Sequence, residues 1–290
     1  MKKENKHKGY LELVLMLSLF FGLVFFSIKS GYIDDLKPDR GAEKWIMIIG
    51  IFIVMHLVLA VHELGHLLTG LYQGFRFELY VVGFLGIRRE KEKLKVYFNK
   101  NLGYYGGVAA TSPKDDSVDN PKRFARILLA GPIASILFAI FCFIIMNFFG
   151  KPFGLLAYTA GITSIGIFLA TTIPSKTGMF FTDRKRYQRL VTPGKARAIE
   201  IATLSIMGNY AKDNSYKNVK KEEIELLIGD EEDMTNYFGL FNMMCWQLEH
   251  NGEVDDVLNE QYENASKSVS KSLAKAFRIE IDKYAGRRSD

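Results

Sequence analysis

The sequence predicts an all-α polytopic membrane protein with about four transmembrane helices, a small β-hairpin or sheet insertion and a C-terminal helical cytoplasmic domain. Two features of the 290 residues carry this prediction. The long apolar runs all lie before Pro174, whereas the remainder is charged and polar. Four of these runs approach the roughly 20 apolar residues that a helix needs to cross a bilayer.

The four predicted spans differ in what precedes and separates them. They run from Leu11 to Ile28, from Trp45 to about Leu71, from Ile127 to Phe149 and from Phe153 to Ile173. The first could also be a cleaved signal peptide, but the residues after it lack the small-x-small cleavage pattern, which favours an uncleaved span. Only GKP separates the last two spans, so we expect them to form a tight helical hairpin.

The distribution of basic residues predicts the orientation. The stretch MKKENKHK precedes the first span, and the loop of residues 73–125 is rich in Lys and Arg. By the positive-inside rule, both lie in the cytoplasm, as does everything after Pro174. Loops of this kind also account for the formal charge of +6, which no nucleic-acid-binding motif accompanies. We therefore expect an integral membrane protein whose N-terminus, HELGH segment and C-terminal domain lie on the cytoplasmic side.

Two segments outside the spans have their own patterns. Within 73–125, two runs rich in aromatic and β-branched residues flank RREKEK and predict a β-hairpin over 76–98. Such an edge could lie against the membrane or a peptide, or could simply cover the spans. After Lys185, apolar residues recur at helical spacing. The chain thus divides into residues 1–44, a core at 45–190 and a helical cytoplasmic domain at 191–290.

The second span ends in HELGH, residues 62–66. Ionisable side chains inside a bilayer are costly, so they are functional candidates there. His62 and His66 are four residues apart on one helix face, and both imidazoles can reach one metal ion. Glu63 lies beside them, where it can take a proton from a zinc-bound water and pass it to the leaving amine. The alternative is that the HExxH pattern occurs by chance, which is less frequent in an apolar span than in an ordinary sequence because His and Glu are depleted there.

A catalytic zinc needs a third protein ligand from the same side of the membrane. His56 lies on a different face of the helix, and the aspartates of the 115–119 loop belong to a solvated turn. Asp183 follows the last span on the cytoplasmic side and is the preferred candidate by topology. The alternative is an aspartate that merely begins a short helix next to Thr182.

The segments HELGH, RILLAGPIAS and TTIPSKTGMFFTD together resemble the site-2 protease family of intramembrane zinc metalloproteases, in its bacterial form without a PDZ domain. The resemblance covers about residues 45–190. It implies that Asp183 is the third ligand, so that one Zn²⁺ per chain is held by His62, His66 and Asp183. It also implies that Glu63 is the general base in hydrolysis of a peptide bond within or next to a transmembrane segment of the substrate.

The chain departs from the family pattern at three positions. Family members commonly have Asn where this chain has Ser135 and Thr171, and Gly where it has Arg184. An inactive relative that binds membrane proteins and signals through its helical domain therefore stays open as an alternative. A metal sensor or transporter is a third reading, but no span offers the row of charged residues that a polar path needs. For the protease, we expect substrate contacts at Gly106, Gly107, Ser135 and Thr171.

The predicted partners follow from this function. They are a membrane-spanning protein or peptide as substrate and the lipid bilayer, with no nucleic acid. The helical domain could add a protein partner or self-association. The sequence does not identify the substrate.

Overall fold

The computed structural model describes residues 18, 21–22, 24–31, 33–38, 41–90, 93–177 and 180–286. Most of the predicted first span and the basic stretch before it lie outside these residues, although residues 24–29 are helical. Within the described part of the chain, three helices are long and apolar enough to cross a membrane. They correspond to the second, third and fourth predicted spans.

These three helices are α1 (Ala42–Tyr72), α2 (Asn120–Ile145) and α3 (Phe153–Thr172). Helix α2 begins earlier than the predicted span, because the polar turns of NPKRFAR continue the helix beyond its apolar part. A proline in its first turn fits there, since the first N–H groups of a helix have no partner within it. A short 3₁₀ turn, Met146–Phe148, follows α2 and leads into the predicted hairpin with α3.

Small residues let α1 and α2 pack closely, as is usual for helices in lipid. A Cβ at Gly65 of α1 would lie 2.6 Å from the carbonyl oxygen of Ala130 in α2. Deeper along the bundle, Val58 of α1 and Cys142 of α2 are buried in one apolar cluster. The outward faces carry exposed apolar side chains such as Phe52 and Phe141, as a bilayer requires.

The insertion between α1 and α2 is an antiparallel sheet of four strands in the order β3-β2-β1-β4. Its strands are β1 (Arg76–Val82), β2 (Leu85–Glu90), β3 (Lys93–Phe98) and β4 (Val108–Ser112). The predicted hairpin was therefore incomplete. Gly83, at φ +55°, turns the first aromatic run into two strands, and the small residues of β4 add a strand on the other side of β1.

The sheet rests on the face of α1 near HELGH. The Tyr80 hydroxyl of β1 donates to the Ala60 carbonyl at 3.1 Å. Burial, together with the nearby Glu63, raises the pKa of Tyr80 to about 12, so the hydroxyl stays protonated. A Cβ at Gly70 would lie 2.6 Å from Oγ1 of Thr111 in β4, so this strand also lies directly against α1.

The remainder of the described chain is helical, apart from a two-stranded ribbon after α3. The elements are β5 (Lys176–Thr177), β6 (Phe180–Phe181), α4 (Asp183–Val191), α5 (Lys195–Asp213), α6 (Lys221–Leu227), α7 (Asp233–Asn251), α8 (Asp256–Ser266) and α9 (Lys271–Gly286). Helices α5 to α9 enclose an apolar core of their own, centred on Ile206, Ile224 and Tyr237. The helices predicted for this region are confirmed.

Helix α5 packs against the loop between β4 and α2. A Cβ at Gly208 would lie 2.2 Å from the carbonyl oxygen of Asp115. The side-chain amide of Asn209 donates to Asp116 Oδ2 at 3.1 Å. The side-chain amide of Asn120 donates to the backbone carbonyl of Asp115 at 2.7 Å. The close approach of the Asp115 backbone thus explains why glycine occupies position 208 in the middle of α5.

Candidate metal centre

The structure brings His62, His66 and Asp183 together, although Asp183 begins α4 and the histidines lie on α1. The two histidine Nε2 atoms are 3.3 Å apart, and each lies 3.3 Å from Oδ2 of Asp183. A point equidistant from the corners of such a triangle is about 1.9 Å from each, close to the zinc–nitrogen distance of about 2.0–2.1 Å. Among the described residues, this is the one such group found that could hold a metal ion.

Asp183 has the properties of a ligand rather than of a helix cap. Its Oδ2 is buried and receives no hydrogen bond from the described residues. Burial alone would raise the pKa of Asp183, but the adjacent His66 and His62 hold it below its ordinary value. The carboxylate is therefore ionised, and a bound cation would satisfy its buried oxygen.

Both imidazoles are oriented through their other ring nitrogen. Nδ1 of His66 donates to the Ile127 carbonyl at 2.7 Å, and Nδ1 of His62 shares a hydrogen bond of 2.9 Å with the Ser135 hydroxyl. A histidine that binds a metal commonly has such a partner, which fixes the ring and leaves Nε2 free for the ion. Both partners lie on α2, so the packing of α1 against α2 sets the directions of the two rings.

Glu63 lies beside this triad and against the segment that leads into β4. It is buried, with 8% of its surface exposed, and the backbone of Ala109 lies close to its carboxylate. Gly107 has φ +97°, and a Cβ there would lie 2.6 Å from Oε1 of Glu63. Strand β4, one of the two edge strands of the described sheet, therefore lies next to Glu63.

The predicted substrate contacts lie in different surroundings. Gly107 contacts Glu63, and Gly106 is exposed next to it. Ser135 is only 1% exposed and is engaged with His62, which favours an orienting role over a substrate contact. Thr171 lies on α3, where its hydroxyl donates to the Ile167 carbonyl of its own helix at 3.1 Å.

The other candidate ligands lie apart from the triad. His56 donates to the Phe52 carbonyl at 2.8 Å and packs against Gly83 of the sheet. Asp115 and Asp116 contact α2 and α5, as described above. The sequence carried no signal for the Ile127 carbonyl, because a backbone group leaves no residue-type preference.

Comparison with known proteins supplies one match. The sequence model of peptidase family M50 matches residues 50–284 of this chain, which include most of α1, all of α2 and α3, the sheet and most of the helical region. No curated protein and no solved structure is significantly similar to the chain.

Proposed function

The chain belongs to peptidase family M50, the site-2 protease family, and from this premise we propose that it is an intramembrane zinc endopeptidase. It hydrolyses a peptide bond within or next to a transmembrane segment of its substrate. The triangle formed by the two histidine nitrogens and the Asp183 oxygen is the observation that carries this proposal. Its geometry and donor set fit one Zn²⁺ per chain.

His62, His66 and Asp183 hold the metal in this proposal, and Glu63 is the general base. Bound zinc supplies Lewis acidity, which lowers the pKa of water towards neutrality and polarises the substrate carbonyl. Glu63 takes the proton from the attacking water and delivers it to the leaving amine. Proton transfer by a positioned side chain contributes typically about 10²–10⁴-fold to a rate.

The edge of β4 offers a place for the substrate backbone. A helical substrate satisfies its amides internally, so it must unwind before water can reach a peptide bond. An unwound segment regains hydrogen bonds when it adds to the edge of a sheet. Strand β4 is such an edge, and Gly107, directly before it, lies against Glu63. Gly106 and Gly107 leave room for that segment.

The proposed topology places the metal centre on the cytoplasmic side of a bacterial plasma membrane. The sheet and the loop between β3 and β4 carry a cluster of Lys and Arg, including Arg88, Lys95 and Lys100. Residues 45–190 form the proposed protease core. Residues 191–290 form a cytoplasmic domain that is available for a protein partner or for self-association.

Metal analysis of the detergent-purified chain tests the ligand set. We expect about one zinc per wild-type chain, lost in His66→Ala and Asp183→Ala. His56→Ala is the matched control, because it removes a histidine from the same helix outside the triad. Zinc retained without Asp183 would show that the third ligand lies elsewhere.

Glu63→Gln separates catalysis from metal binding. We expect this variant to keep its zinc and to lose proteolysis, since Gln cannot accept the proton. New N-termini within membrane proteins, compared between cells with wild type and with Glu63→Gln, would reveal the substrates. An inactive relative predicts identical N-termini and the same cellular phenotype in both.

A further inference from the structure

A buried glutamate of the helical region holds the segment that carries Asp183. Glu232 precedes α7, and its side chain is 0% exposed. Its Oε1 accepts a hydrogen bond of 2.8 Å from the Phe181 amide, and its Oε2 pairs with the Arg186 guanidinium. Phe181 lies two residues before Asp183 and Arg186 three residues after it, so Glu232 binds the chain on both sides of the candidate ligand.

The residue between Phe181 and Asp183 is tied to the membrane part instead. The Thr182 hydroxyl donates to the Ile173 carbonyl at 2.8 Å and accepts from the Ser175 amide at 3.1 Å. The Thr182 amide donates to the Ser175 carbonyl at 3.0 Å. The chain at Asp183 is thus fixed between the end of α3 on one side and Glu232 on the other.

A second arginine of α4 strengthens the connection. Arg189 donates to Glu200 Oε1 at 2.7 Å and to Asp230 Oδ2 at 2.8 Å, and all three side chains are buried. Its guanidinium also lies over the Phe181 ring, 4.7 Å from the centroid. Buried ion pairs of this kind demand good geometry, and removal of one partner is strongly destabilising. Helix α4 therefore has little freedom to rotate away from the helical region.

These contacts extend beyond ordinary docking of one domain on another. A docking contact would need only the arginine pairs of α4. Glu232 also binds a main-chain amide two residues from the ligand, in the short ribbon that leads into α4. Displacement of Glu232 would remove one support of this ribbon and of the first turn of α4, and the Asp183 carboxylate would be held less firmly.

We propose that Glu232 is a positioning residue of the metal centre, through which docking of the helical region sets the metal affinity. The proposal rests on the metal-binding role assigned above. By linkage, a metal ion bound at His62, His66 and Asp183 strengthens the docking by the same factor. A partner that draws the segment before α7 away from α4 would lower the metal affinity and switch the enzyme off.

The test measures zinc affinity by chelator competition on the full chain in detergent. Glu232→Gln keeps the shape of the side chain but removes the charge that pairs with Arg186. We expect zinc affinity to fall by about 10–100-fold, the usual effect of losing a group that orients a ligand. Glu263→Gln is the matched control, because it removes an exposed partner of Arg278 in the same helical region, and its affinity should equal that of wild type.

Hydrogen exchange of the metal-free chain gives a readout that needs no zinc. In Glu232→Gln, we expect faster exchange in peptides that span residues 180–186, while peptides from the α7–α8 core keep wild-type protection. Failure of the wild type to bind zinc would reject the proposed function, and exchange would still report on the contacts of Glu232 with Phe181 and Arg186. Unchanged zinc affinity and unchanged exchange in a folded Glu232→Gln would overturn the positioning role.

Glu232→Asp provides a second, milder variant in case Glu232→Gln does not fold. It keeps the negative charge and shortens the reach by one methylene, so we expect a folded chain with an intermediate loss of zinc affinity. Wild-type affinity in this variant, with Glu232→Gln unfolded, would make the contact a folding requirement and reject the positioning role. Unfolding of both variants would have the same meaning.

Discussion

Gly131 lies directly against the imidazole of His66, and a Cβ at position 131 would stand 2.1 Å from Nε2. The added methyl group would clash with the His66 nitrogen that faces His62 and Asp183, and this ring is held in place by its other nitrogen. The close approach of α2 to α1 thus requires glycine at this position, and it also aligns the Ile127 carbonyl with the other nitrogen of the same ring.

Gly131→Ala is expected to abolish zinc binding, because the added methyl group must displace His66 or separate the helices. Metal content of the purified variant is the measurement. Gly150→Ala is the matched control, since a Cβ there meets no atom within 4 Å. A Gly131→Ala variant with a full complement of zinc would mean that the helices adjust without cost to the ligand.

Ser135→Ala should weaken zinc binding by about 10–100-fold while the fold is retained, because His62 loses the partner that orients its ring. Chelator competition measures the change. Ser164→Ala provides the comparison: this serine of α3 is also buried, but its hydroxyl has no hydrogen-bond partner among the described residues. Equal affinities in the two serine variants would argue against the orienting role.

Gly107→Ala should impair proteolysis and leave zinc content unchanged. The substitution strains a backbone at φ +97° and drives a methyl group against the Glu63 carboxylate. Gly74→Ala carries the same kind of backbone strain, at φ +86°, with no atom within 4 Å of the added Cβ. The ratio of activities in these two variants isolates the contact with Glu63 from the cost of the strain.

Zinc removal should lower the thermal stability of the wild type. A ligand present at 100 times its dissociation constant stabilises the folded state by about 2.7 kcal/mol. Melting curves recorded with zinc and with excess chelator measure this difference. Asp183→Ala should melt at the same temperature in both conditions, and a zinc-dependent shift in that variant would point to binding outside the triad.

The sequence was most informative where chemistry and periodicity coincide. Helical spacing placed His62 and His66 on one face, and the charge distribution placed Asp183 on the same side of the membrane. The structure brings these three groups together, and the match to peptidase family M50 establishes the resemblance on which the third ligand depended. Residue type and local spacing are sufficient for the histidine pair, whereas Asp183, far away in the chain, needed the topology and the family resemblance as well.

The sheet was harder to predict, because two of its strands lack the usual signals. The turn at Gly83 interrupts an apolar run without the polar residues that mark most turns. Strand β4 consists of small residues with modest β-propensity, and only its pairing with β1 and its contact with α1 make it a strand. Tertiary contacts decide both cases.

The role of Glu232 could not be found from its neighbours in the sequence. GDEED reads as an exposed acidic turn before a helix. The burial of Glu232 depends on Arg186 of α4 and on the main-chain amide of Phe181, both more than one helix away in the chain. A single sequence does not identify a contact of this kind.

The order in which the chain is made gives the Glu232 contact a further consequence. Synthesis proceeds from the N-terminus, so α1 enters the membrane with both histidines long before Asp183 leaves the ribosome, and Glu232 follows later still. If Glu232 positions Asp183 as proposed, a nascent chain would bind zinc more weakly until its helical region has folded. Cleavage of neighbouring membrane proteins, and of the growing chain itself, would then be reduced during biogenesis.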